Sequence, residues 1–411
     1  MTTLADQGKA APGAQPFSDL SDLIHPVPVE EFLRDYWEKK PLFIRRDDPT
    51  HYTQLPTLDE VDSILSTSRA TLEGIRLVID GKETPVSTLG VSFGWNGIAN
   101  SLEALYERYR NGSTIVLNAL EGRWEPLARL TARLGVETNC RFQANLYLTP
   151  AGNQGFTPHY DTHDVFIAQV HGTKSWKLHG APYPLPLRTQ PFDRSGTLPD
   201  GPVEELELRP GDLLYLPRGT IHSATSNETA SAHVTIGVHP VIWSEMMADA
   251  VRQVFEDDVR FREGLPLAFA AGDELPQQAE KRFAELVDVL HERLSAKAMV
   301  DNSLKRAASL SLPQLRHHLL DLEQAAEVDA GTRVSRRPGT QWNLTVAEGQ
   351  VCLDFNNKTV QFPAHVADEV RYVAEHAGGG LTADDVRGNL DLPGRLVLVR
   401  TLLREGFLTL A

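Results

Sequence analysis

The sequence predicts a mixed α+β protein in three parts: a double-stranded β-helix wrapped by helices, then a helical region, then a winged-helix-like C-terminal domain. Three observations predict it. Short apolar runs separated by turn residues crowd residues 141 to 240, as in a barrel of short strands. Beyond Pro240 the pattern changes to helical spacing with no strand signal for some 90 residues. From about Thr340 a strand, turn, strand and helix order follows. The expected boundaries are a disordered N-terminus over 1–18, a barrel domain over 19–240, a helical domain over 241–335 and a winged-helix-like domain over 336–411.

Taken in order, Val29 to Trp37 reads as an amphipathic helix, with Phe32, Leu33 and Tyr36 on one face, followed by the strand-like Leu42-Phe43-Ile44. Residues 57–67 and 100–110 read as helices, each followed by a strand, IRLVI at 75–79 and TIVLNAL at 114–120. A helix from about Glu125 to Leu134 leads into the barrel strands. Helices are expected at 243–262, 277–297 and 312–325. In the last part, Asn356-Asn357 between two apolar runs marks a hairpin, and helices are expected at 365–376, 382–390 and 393–404, the second capped by Thr382.

The chemistry concentrates in NLYLTPAGNQGFTPHYDTHDVFIAQVHGTKSWKL, residues 145–178, and in LRPGDLLYLPRGTIH, which ends at His222. If 158–170 is one strand, His159 and Asp161 share a face about 6.6 Å apart, within reach of one ion. His163 shares that face but lies about 13 Å from His159, too far for joint chelation through bonds of about 2.1 Å. The third ligand must then come from another strand. His222, 61 positions after Asp161, ends an apolar run bounded by Pro-Gly and Pro-Arg-Gly. Two imidazoles and a carboxylate form a facial triad that suits Fe(II) and leaves positions open.

In the alternating stretch Lys174-Ser-Trp-Lys-Leu178, Lys174 shares the apolar face of Trp176 and Leu178. Two readings stand: a lysine reaching back to water, or a buried cation facing the distal carboxylate of a keto-acid cosubstrate. Asn145 lies on one face with Gln143 and Tyr147, which reads equally as pocket lining or as a solvent face.

These segments, together with EEFLRDYWEKKPLFIRR near the start, resemble the JmjC-type 2-oxoglutarate oxygenases, and among them the ribosomal oxygenases that hydroxylate protein side chains. The resemblance implies His159, Asp161 and His222 as iron ligands and Lys174 as partner of the 2-oxoglutarate distal carboxylate. It also places Asn145 and Thr235 beside the cosubstrate. The implied reaction uses Fe(II), 2-oxoglutarate and O2 to hydroxylate a histidine or arginine of a ribosomal protein. The family's helical segment implies a homodimer. Three rivals stay open: a JmjC demethylase, a tailoring hydroxylase of a peptide or amino acid, and a cupin-like binding module without turnover.

Composition narrows the setting. The 411 residues carry 40 basic and 55 acidic side chains, a net charge of −15, which disfavours a whole-chain nucleic-acid or membrane-surface binder. From Thr340 onward six Lys and Arg face nine Asp and Glu, so the last domain lacks the basic footprint of a DNA binder and reads as architectural. Cys140 and Cys352 are the only cysteines, which gives neither a disulfide framework nor a thiolate zinc site. No apolar run reaches the length of a membrane span and residues 1–18 lack a signal-type apolar core, so a cytoplasmic protein is expected.

Overall fold

The computed structural model describes residues 19–52, 54–67, 74–85, 97–193, 198–265, 274–310, 315–347 and 349–411. The N-terminal segment expected to be disordered lies outside the described residues. The chain separates into two compact units, Met1–His239 and Pro240–Ala411.

The first unit holds helices α1 (Leu20–Ile24), α2 (Val29–Asp35), α3 (Leu58–Thr67), α4 (Gly97–Arg110) and α5 (Glu125–Thr138). Its strands are β1 (Leu42–Ile44), β2 (Ile75–Ile79), β3 (Lys82–Pro85), β4 (Thr114–Leu117), β5 (Arg141–Thr149), β6 (Asp164–His171), β7 (Lys174–Leu178), β8 (Glu204–Leu208), β9 (Leu213–Leu216), β10 (His222–Ser226) and β11 (Ser231–His239). They form an eight-stranded sheet in the order β1-β9-β6-β11-β5-β4-β2-β3 and a three-stranded sheet, β10-β7-β8. Both sheets are antiparallel throughout.

The two faces of the large sheet are buried for different reasons. Phe142, Ala144 and Leu146 of β5, with Val234, Ile236 and Val238 of β11, pack outward onto Leu127, Leu130 and Leu134 of α5. Val165, Ile167, Leu214 and Leu216 point the other way, against Trp176, Leu178 and Leu208 of the small sheet. Burial on both faces explains why β6 and β9 read as largely apolar runs rather than as alternating strands. Polar residues of the inner face line the space between the sheets.

The strand predicted over 158–170 starts only at Asp164. Pro158 has no N–H to give a ladder, His159 makes an isolated bridge with His222, and the backbone of Asp161 is held from the side by the Gly219 N–H.

The second unit contains α6 (Trp243–Asp257), α7 (Glu274–Arg293), α8 (Ala296–Leu310) and α9 (His318–Gln324). The helix predicted over 243–262 stops early because Asp258 accepts from the Arg260 N–H and caps a 3-10 turn, Val259–Phe261. The helix predicted over 277–297 is interrupted before Ala296, where the Ser295 hydroxyl accepts from the Ala298 N–H and starts a further helix the spacing did not separate. Then come β12 (Val334–Arg336), β13 (Trp342–Ala347), β14 (Gln350–Phe355), β15 (Lys358–Pro363), α10 (Ala367–His376), α11 (Leu392–Arg404) and β16 (Leu408–Leu410). The Asn356-Asn357 hairpin forms, with both residues at positive φ (47° and 59°) as a tight two-residue turn requires. Residues 382–390 do not form the predicted helix. Thr382 donates its N–H and hydroxyl to the Asp385 carboxylate instead of capping, only a turn follows, and the next stretch is held open by Glu369, whose carboxylate accepts from the Asn389 and Leu390 N–H groups.

Candidate metal centre

His159, Asp161 and His222 converge although their stretch is not a regular strand. One ligand atom from each lies within 4.8 Å of the other two. His222 Nε2 stands 3.8 Å from Asp161 Oδ2, and the two imidazole centroids are 4.6 Å apart. Backbone pairing sets this spacing: His159 N–H donates to His222 O at 3.1 Å, and His222 N–H to His159 O at 2.8 Å.

Each imidazole is oriented by a carbonyl two residues before it. Thr157 O lies 2.8 Å from His159 Nδ1, and Thr220 O lies 2.9 Å from His222 Nδ1. Those contacts place the proton on Nδ1 and leave the Nε2 lone pair of each ring available to a cation. Burial, then the nearby His159, hold His222 down at about 4, so this ring is a neutral donor at physiological pH. Burial acts to raise Asp161, but His159, His163 and His222 together outweigh it and keep the carboxyl below its usual range. Two imidazole nitrogens and one carboxylate fit Fe(II) by donor type. His163 is not in the group. It stacks on His239 at 4.7 Å, across Gly237, where a Cβ would meet the His163 ring at 2.7 Å.

The triad opens into a cavity of about 520 Å³, counting space open to solvent, lined also by Tyr147, Lys174, Trp176, His233 and Thr235. Lys174 is 4% exposed. Its ammonium donates to Thr149 Oγ1 at 3.0 Å, and Thr149 accepts in turn from Thr114 at 3.1 Å. Among the described residues no carboxylate pairs with it, and burial alone pushes it down to about 7. A carboxylate-bearing ligand fits that unbalanced cation.

Thr235 lies on the cavity wall, directly across the sheet from Asn145. Asn145 shares that inner face, and its Oδ1 accepts from the Ala119 N–H at 3.0 Å. Sequence reasoning missed Thr149 and His233. Thr149 closes β5 with nothing local to mark it. His233 sat in view on the alternation of β11, stacked here on Tyr147 with centroids 4.9 Å apart.

A second polar cluster holds the turn before His222. Asp164, fully buried, pairs with Arg218 Nη1 at 2.8 Å and accepts from the Arg218 N–H and the Tyr215 hydroxyl. Arg218 also pairs with Glu38, whose own N–H donates to the Tyr215 hydroxyl at 2.9 Å. The YWEKKP segment is thereby tied to the turn that presents His222.

Comparison with known proteins agrees with this geometry. Residues 121–246, which span the triad, match the JmjC domain family. Residues 121–246 form a JmjC domain. Rat ribosomal oxygenase 2 is 31% identical over 306 residues, which cover 71% of this chain and 63% of the rat protein. The Dictyostelium discoideum bifunctional lysine-specific demethylase and histidyl-hydroxylase NO66 is 28% identical over 398 residues, 90% of this chain and 72% of its own length. The chain thus spans under two thirds of the rat and mouse ribosomal oxygenase 2 proteins, 63% and 61%. Among solved structures, Escherichia coli ribosomal oxygenase YcfD superposes with a TM-score of 0.51 at 18% identity, covering 94% of this chain and 98% of that one. YcfD in complex with cobalt and 2-oxoglutarate gives 0.50 at 17%, covering 93% and 98%. At that identity the likeness establishes the fold, and the JmjC domain is a cupin-like barrel within a mixed α and β chain.

Proposed function

We propose that this JmjC-domain protein is an Fe(II)- and 2-oxoglutarate-dependent oxygenase that hydroxylates a side chain in a protein. One observation carries the reading: a two-His, one-carboxylate cluster and a buried lysine lacking a carboxylate partner line the same cavity. The relatives' names, ribosomal oxygenase and histidyl-hydroxylase, favour a ribosomal protein as substrate and histidine as the target, with arginine the other target that the sequence resemblance implies.

When bound, iron with 2-oxoglutarate and O2 supplies oxidative decarboxylation to succinate and carbon dioxide, coupled to hydroxylation. His159, Asp161 and His222 would hold the metal, and the cavity opens beside them. Lys174 anchors the far carboxylate of the cosubstrate, and the Thr149 hydroxyl keeps the ammonium aimed inward. Trp176 and Tyr147 exclude water from that end, which strengthens the pairing. Thr235 and Asn145, paired across β11 and β5, border the cosubstrate, with Asn145 fixed by the Ala119 N–H.

Purified protein should form succinate only with Fe(II) and 2-oxoglutarate, and His159→Ala or Asp161→Ala should abolish it. A tightly bound, catalytically sufficient zinc would sink the reading. Intact masses of ribosomal proteins from cells with and without the gene should differ by one oxygen atom. A lysine demethylase shares the chemistry, and the NO66 relatives carry both activities in their name. Loss of methyl groups rather than gain of oxygen separates it.

The helical region of the second unit is assigned to homodimerisation, since Trp243, Phe283, Val287 and Leu304 leave large apolar surface exposed. Light scattering on the full chain should give a dimer mass. The last domain is assigned a winged-helix-like, architectural role without nucleic-acid contact. No described helix is long and apolar enough to cross a membrane, and the cytoplasm is the proposed compartment.

A further inference from the structure

The β2–β3 hairpin stands at the far edge of the large sheet, outside the strands that carry the triad, yet it reaches His159 by two routes. The first runs through its tip. Gly81 donates its N–H to Gly155 O at 2.7 Å and has φ +74°. A Cβ on Gly81 would lie 2.6 Å from Thr157 Cγ2 and 2.7 Å from Thr157 Oγ1, so only glycine lets the tip sit against Thr157. The carbonyl of Thr157 is the group that orients His159 through Nδ1.

The second route runs through the flank. Arg76 places its guanidinium over the Phe156 ring at 5.9 Å, and Phe156 lies 5.4 Å from the His159 ring. Arg76 is itself fixed by Glu83 on the facing strand at 2.7 Å and by Asn118 at 3.0 Å. Both the hydrogen bond and one ring face of His159 are thus backed by the hairpin. His222 and Asp161 have no such dependence, because the 217–220 turn holds them.

We propose that the β2–β3 hairpin is a positioning element for His159, with Gly81 at its tip setting the direction of the ligand nitrogen through Thr157. The proposal rests on the metal-centre reading above, and cobalt(II) binding to the full-length protein tests the two separately. Wild-type binding that is lost in Asp161→Ala establishes the centre. Gly81→Ala should then weaken cobalt(II) roughly 10- to 100-fold, the range for removing a group that orients a ligand, and shift the ligand-field absorption bands. Adding Thr157→Ala removes both atoms the new methyl would strike and leaves the backbone strain at position 81 untouched. The double variant should therefore regain most of the affinity and the wild-type bands while still melting below the wild type.

Arg76→Met is the independent variant, with the Gly81 contact intact. Its lost charge has a field that reaches Asp161, so electrostatics alone would strengthen binding of a cation. Weaker cobalt(II) binding in Arg76→Met therefore reads as lost positioning. Wild-type affinity and bands in folded Gly81→Ala, or a double variant as weak as the single, would overturn the proposal. If Gly81→Ala does not fold, wild-type or tighter binding by Arg76→Met overturns it instead.

Discussion

Lys174 Nζ lies 3.0 Å from Thr149 Oγ1, and that hydroxyl is the one hydrogen-bond partner it has among the described residues. A buried ammonium so placed is stabilised by a carboxylate, and a charge-assisted bond of this kind contributes about 1.5 to 3 kcal/mol. Lys174→Ala should raise the 2-oxoglutarate dissociation constant roughly tenfold to a few hundredfold and leave Fe(II) affinity nearly unchanged. Lys174→Arg should be milder but measurable, because a planar fork reaches differently. Calorimetry on anaerobic, iron-loaded protein reads both, and unchanged 2-oxoglutarate binding in Lys174→Ala would remove the lysine from the site.

The same burial makes cosubstrate binding depend on pH. Lys174 is pushed down to about 7 from an ordinary 10.5. Between those values the unfolded chain holds more protons than the folded one, so this residue makes stability rise with pH across that window. Below about 7 both states are charged and the full cost of burial is present. A bound carboxylate restores the charge, so binding above pH 7 takes up a proton. Affinity for 2-oxoglutarate should fall between pH 7 and 9, by up to about tenfold per unit. Calorimetry at pH 8 in buffers of different ionisation enthalpy should show proton uptake in the wild type and none in Lys174→Met.

Legibility followed how local each signal was. Lys174, Trp176 and Leu178 were readable as one buried face because alternation along β7 is a property of five consecutive residues. His159 and Asp161 were found by residue type and spacing, but the geometry assumed for them was wrong: Pro158 and the bridge to His222 replace a strand with a bent segment. The missing helix at 382–390 shows the converse. Thr382 spends its hydroxyl on Asp385, and a distant carboxylate, Glu369, satisfies the backbone of Asn389 and Leu390 and removes the need for a helix. Nothing in the sequence around Asp164 announces its partner Arg218, 54 positions away.

That pair yields a prediction about stability. Asp164 is fully buried and Arg218 nearly so, and removing one partner strands the other charge. Arg218→Met should cost about 3 to 5 kcal/mol of unfolding free energy. Adding Asp164→Leu should recover a large part, because the uncompensated carboxylate goes with its partner. Urea unfolding of the three proteins checks it, and an additive double variant would show that the two charges do not act as a pair.

The last prediction concerns the Pro240–Ala411 unit, where Arg337 is 2% exposed and pairs with the equally buried Asp321. Arg337 also donates to the carbonyls of Gly406 and Leu408, while Asp321 accepts from the Leu410 N–H and the Thr409 hydroxyl. One ion pair thus pins α9 to the C-terminal strand β16, which in turn pairs with β12. Arg337→Met leaves Asp321 charged and buried and frees the carbonyls of Gly406, Leu408 and Arg316, so the loss should reach about 3 to 5 kcal/mol. Arg337→Lys should recover little, since one ammonium cannot serve a carboxylate and several carbonyls in the geometry of a planar fork. Hydrogen exchange should show the amides of β12 and β16 losing protection first, because their ladder is three residues long and depends on this anchor. Equal loss of protection across β13 to β15 would mean that Arg337 supports the whole unit rather than this seam.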